Sequence, residues 1–86
     1  MYIVSKENMA VIPAENVTIE FIPKKNGERW EMWAYGLAVP EGSMQLGVFW
    51  DVEKAERVLD RYIESLQHGS IIFECPFNEE EYRGMF

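Results

Sequence analysis

The stretch from Asp51 to Gly69, DVEKAERVLDRYIESLQHG, constrains the fold of this chain more than any other. Ala55, Val58, Leu59, Tyr62, Ile63 and Leu66 lie 3, 6, 7, 10, 11 and 14 residues beyond Val52, the spacing that gathers side chains on one face of a helix. Glu53, Lys54, Glu56, Arg57, Asp60, Arg61 and Glu64 fall on the other face. Asp51 can accept from the free N–H groups of the first turn, and Gly69 suits the left-handed residue that closes a helix. The pattern predicts a helix over about 51–68. A helix that is apolar on one side needs a surface to lie on.

The rest of the chain supplies strands. Met1–Ser5 and Met9–Ile12 read as a hairpin, with Pro13 stopping the second run. Val17–Ile22 alternates, Val17, Ile19 and Phe21 against Thr18 and Glu20, as a half-buried strand does. The Asn26-Gly27 pair marks the next turn. Trp30–Val39 reads as the longest strand, with Trp30, Met32 and Ala34 on one face and Glu31, Trp33, Tyr35, Leu37 and Val39 on the other. Met44–Trp50 follows, with no clear parity. Trp50 and Ala55 occupy the two positions of a hydrophobic staple at the start of the helix. Ser70–Cys75 is a last short extended run before Pro76.

Short connections favour an antiparallel meander of about four or five strands. The expected architecture is therefore α+β: a meander with the helix packed on one face, and a short C-terminal strand. Residues 1–76 form a single domain, and 77–86 an acidic tail in which Asn78 and Glu81 have capping-box spacing for one helical turn. Burial of Val58, Leu59, Ile63 and Leu66 at roughly 2 kcal/mol each makes Leu59→Asp an unfolding substitution, while Glu56→Lys is nearly silent.

Charge and cysteine usage narrow the function classes. Eight basic residues against fifteen acidic ones give a net charge of −7 over 86 residues. That disfavours direct nucleic-acid or anionic-membrane binding, which needs a basic patch. No apolar run reaches the roughly 18 residues of a membrane span. The opening MYIVSKEN lacks the basic and apolar regions of a secretion signal, and Cys75 is a lone cysteine, so a cytoplasmic setting is expected.

Few residues invite chemistry. His68 and Cys75 are an imidazole and a thiol close in sequence. However, His68 suits the negative end of the helix and Cys75 a buried β-run, and no third orienting group is evident. One histidine and one cysteine without paired spacing do not make a metal site. Gly36, Gly42 and Gly47 do not form a phosphate-binding turn, and Gly47 reads instead as a point of close backbone approach. No catalytic residue, metal or cofactor is expected.

The aromatics are more informative. Trp30, Trp33, Tyr35 and Trp50 cluster around the central strands, yet one sheet has a single face to hide under the helix. If Trp30, Met32 and Ala34 face the helix, then Trp33, Tyr35 and Leu37 face away, and an apolar face left outside marks a partner surface. The competing reading is a core face covered by the N-terminal hairpin or the tail.

The run Leu46-Gly47-Val48-Phe49 through Asp51-Val52-Glu53-Lys54-Ala55-Glu56-Arg57-Val58-Leu59 resembles a pattern in small α+β proteins of Gram-positive bacteria and their phages. The Met-aromatic-Ile-Val opening, Asn16-Val17, Trp30-Glu31-Met32 and the close at Phe73-Glu74-Cys75-Pro76 extend the resemblance over about Met1 to Pro76. Trp50, where a polar residue is usual, and the extra tail depart from it. The resemblance implies a small α+β module and assigns no functional residue.

The function expected is a non-enzymatic protein-interaction or self-associating module, working through Trp33, Tyr35 and Leu37 with an unknown protein partner or a second copy. The alternative is an acidic phage-type inhibitor mimicking nucleic acid on a host protein. Lys54, Arg57 and Arg61 interleaved among the helix carboxylates weigh against a mimic.

Overall fold

The computed structural model describes residues 1–81. It contains β1 (Tyr2–Ser5), β2 (Ala10–Pro13), β3 (Thr18–Lys24), β4 (Arg29–Tyr35), β5 (Ser43–Phe49), α1 (Val52–Gln67) and β6 (Ile72–Glu74). The architecture is α+β, as the alternation and the helical spacing require. The part of the expected tail beyond residue 81 lies outside the described residues.

The strands divide into two three-stranded sheets, ordered β2-β1-β6 and β3-β4-β5. The antiparallel meander comprises β3, β4 and β5. The N-terminal hairpin leaves it and takes β6 as a parallel neighbour of β1, tied by Tyr2 N–H to Ile71 C=O at 2.8 Å and Cys75 N–H to Val4 C=O at 2.9 Å. Ile3, Ile12 and Phe73 from that sheet share one core with Met32, Ala34, Leu46 and Phe49 of the meander and Ala55, Val58 and Tyr62 of the helix. Tyr62 and Phe73 meet edge to face, with ring centroids 5.4 Å apart. The hairpin thus joins the helix on the inner side of the meander, and the opposite face stays outside this core.

A β-bulge explains why β5 had no readable parity. Met32 pairs with Gly47 but Trp33 pairs with Gln45, so Leu46 is an extra residue. The insertion turns both Leu46 and Phe49 inward, each with no exposed surface, which strict alternation forbids. Gly47 is the predicted close approach: a Cβ there would sit 3.0 Å from the Pro76 carbonyl oxygen and 2.9 Å from the Phe49 ring.

Two local expectations are corrected. The strand beginning near Trp30 ends at Tyr35, short of Val39, because Gly36 takes a φ of +153° and the chain turns through Pro40–Gly42. Val39, just before that turn, is buried, and Leu37 stands fully in solvent. Of the four helix residues expected to be buried, Val58 is, Leu59 is half-buried, and Ile63 and Leu66 keep 42% and 48% of their surface exposed. The stripe is wider than the surface it meets.

The helix ends form as their residues dictate. Asp51 Oδ1 accepts from Glu53 N–H at 2.9 Å. At the other end Gly69 adopts φ +67°, with Gly69 N–H to Leu66 C=O and Ser70 N–H to Ser65 C=O closing a Schellman turn. Trp50, placed to staple onto Ala55, is 57% exposed while Ala55 turns into the core. The Glu79 carboxylate holds the start of the helix instead, accepting from the N–H groups of Trp50 and Asp51.

Candidate partner surface on the meander

Strand register sets the outer face of β3-β4-β5. Thr18, Tyr35 and Ser43 form one row, then Glu20, Trp33 and Gln45, then Ile22, Glu31 and Val48, and finally Lys24 with Arg29. Period-2 alternation places these side chains opposite Met32 and Ala34, which lie in the core.

Along β4 the outward residues make a connected chain. Arg29 Nη2 lies 2.9 Å from Glu31 Oε2, and Trp33 Nε1–H donates to Glu31 Oε1 at 3.0 Å. Glu31 keeps only 8% of its surface, and a carboxylate so covered is costly unless its oxygens are paired. Both are. The Trp33 and Tyr35 rings stack at 6.3 Å with an 18° interplanar angle. At one end Trp50 lies beneath two cations, with Lys25 Nζ 5.8 Å and Arg29 Cζ 5.7 Å from its ring centroid. Leu37 stands beyond the other end, on the turn that follows Tyr35.

The structure therefore brings together two of the three residues expected to form a partner surface, Trp33 and Tyr35, both half-buried. Leu37 belongs to a turn and not to the strand face. Arg29, Glu31 and Trp50 join the site, although the expected surface comprised only Trp33, Tyr35 and Leu37. The signal for the first two was present: positions 29, 31, 33 and 35 share one strand face by parity. The position of Trp50 depends on a turn–strand contact that no local pattern encodes.

The arrangement suits recognition. Trp, Tyr and Arg are the side chains that most often dominate binding energy at interfaces. Here the Glu31 hydrogen bond fixes the indole in advance, so less side-chain freedom is lost on contact. Three strands of seven residues cover roughly 14 by 23 Å, about 330 Å². That is well below the ~800 Å² per partner of a standard stable interface, so a partner seated on this face alone would be held weakly.

Elsewhere, the polar chemistry is sparse. Burial, with a smaller contribution from the Glu81 carboxylate, pushes the Cys75 thiol up to about 12. Its Sγ lies 3.4 Å from Met32 Sδ, and His68 is exposed at the end of the helix. Among the described residues no group of three or more metal-binding side chains converges, and no helix is long and apolar enough to cross a membrane. Comparison with protein-family models, with curated proteins and with solved structures gives no significant match.

Proposed function

We propose that this chain is a non-enzymatic association module whose partner surface is the outer face of the meander, centred on Trp33 and Tyr35. The observation that carries the reading is the pre-organised row Arg29–Glu31–Trp33–Tyr35, held outside the shared core by its own hydrogen bonds. A second copy of the chain is the partner to test first, in a cytoplasmic setting consistent with the lone buried thiol. Both charge signs occur on the face, Lys24, Arg29, Glu20 and Glu31, which permits self-contact despite the net charge of −7.

Concentration-dependent light scattering on the wild type and on Trp33→Ser tests this reading. Reversible association of the wild type, weakened in the variant while its circular-dichroism spectrum stays that of the folded chain, supports it. A wild type that stays monomeric to millimolar concentration removes the second copy as partner.

A further inference from the structure

The two edges of the meander are treated differently. At β5, Val48 N–H donates to the Phe77 carbonyl at 2.7 Å, and the Asn8 side-chain amide donates to the Gln45 carbonyl at 2.9 Å. This chain's own C-terminal segment and hairpin turn thus occupy that edge. At the opposite edge, among the described residues, no segment pairs with β3.

Beside the open edge lies a groove of about 130 Å³ between β3 and the helix, lined by Phe21, Trp30, Val52, Ala55, Glu56 and Leu59. It collects the apolar helix flank that the core leaves uncovered, with Val52 41% exposed and Ile63 and Leu66 continuing the same flank. An enclosed apolar cavity of roughly 150 Å³ holds a benzene molecule, so this groove admits one branched aliphatic side chain. On the helical wheel the positions just beyond the flank are Glu56, Asp60 and Glu53, whereas Lys54, Arg57 and Arg61 stand on the far side of the polar face. The groove therefore has an acidic rim on its helix side.

An open strand edge, an adjoining apolar groove and an acidic helix-side rim together specify an occupant. We propose that β3 accepts an extended segment of another protein as an added strand, with a bulky aliphatic residue of that segment entering the groove and flanking basic residues meeting the acidic rim. Main-chain hydrogen bonds supply affinity in this mode, and alternate side chains supply specificity. Pro23 has no N–H to offer, so the added strand runs along Thr18–Ile22. A second copy fits this edge poorly, because it brings one acidic rim against another. This surface is separate from the Trp33–Tyr35 face.

The test uses the fluorescein-labelled peptide Arg-Thr-Val-Thr-Leu-Thr-Val-Thr-Arg and a version with both arginines replaced by glutamate. Fluorescence anisotropy and amide hydrogen exchange are read on the whole protein. The proposal expects saturable binding of the arginine peptide and slowed exchange confined to β3. Glu56→Lys should weaken that peptide about tenfold and improve the glutamate peptide, at unchanged melting temperature. Trp33→Ser should bind the arginine peptide as the wild type does. Absence of saturable binding below about 1 mM, protection elsewhere than β3, or equal binding by Glu56→Lys overturns the proposal. So does β3 protection that grows with protein concentration without peptide, which would mean that a second copy takes the edge.

Discussion

Glu31 ties together the outer row of β4. Its two oxygens tie Arg29 to Trp33, so Glu31→Ala releases the indole and leaves a half-buried guanidinium without its carboxylate. Urea denaturation should show a loss of about 1–2 kcal/mol, below the cost of breaking a fully buried pair because Arg29 is partly solvated. Gly47→Ala is expected to cost about 1–3 kcal/mol by the same measurement, since the added methyl group meets the Pro76 carbonyl and the Phe49 ring. That close approach was legible from a lone glycine in a strand. The Glu31 bridge was half legible: parity put Glu31 and Trp33 on one face, but which polar groups pair depends on rotamers.

Cys75 gives the protein an alkaline weakness. Its thiol, ordinarily near 9.0, is raised to about 12 by burial. Its contribution to stability is complete below the unfolded value. It is lost as pH climbs from about 9 toward 12, where the unfolded chain sheds the proton and the folded one retains it. Burial raises Tyr62 in the same direction, so the two losses overlap. Urea midpoints at about pH 8 and about pH 10.5 should therefore differ more for the wild type than for Cys75→Ala, with Tyr62 leaving a residual fall.

At the scale of elements, the helix was read almost to the residue because its caps and spacing are local. How deeply it is buried was not, because that depends on the width of the sheet beneath it. Only part of the stripe meets the inner face, while Val52 and Leu59 line the β3 groove. The substitution that tests the helix–sheet contact is accordingly Val58→Asp, which places a charge where no surface is exposed and should abolish the cooperative melting transition. Leu59→Asp, at a half-buried position, should lower the melting temperature while leaving a folded circular-dichroism spectrum. The split into two sheets was also beyond local pattern. Parallel pairing of β1 with β6 joins residues about seventy apart in sequence, and neither run announces its partner. Likewise, the bulge at Leu46 defeats a period-2 reading by inserting one residue that no composition signal marks.

Considered whole, the described residues form a core shared by two sheets and a helix, and two of the surfaces outside that core bear on function. One is the aromatic face of the meander, the other the open edge of β3. They differ in the charge they present, and that difference separates the partners proposed for them. The aromatic face carries both signs, so salt should strengthen its self-association by screening the net charge of −7. The β3 groove has an acidic rim, so salt should weaken its hold on a basic segment. The central claim is that the face around Trp33 drives association. Sedimentation equilibrium of the wild type and Trp33→Ser, from micromolar to millimolar concentration at about 0.15 M salt, tests it most directly. The account predicts an average mass that rises reversibly with concentration for the wild type and stays at the monomer value for the variant. Identical curves for the two proteins would contradict it.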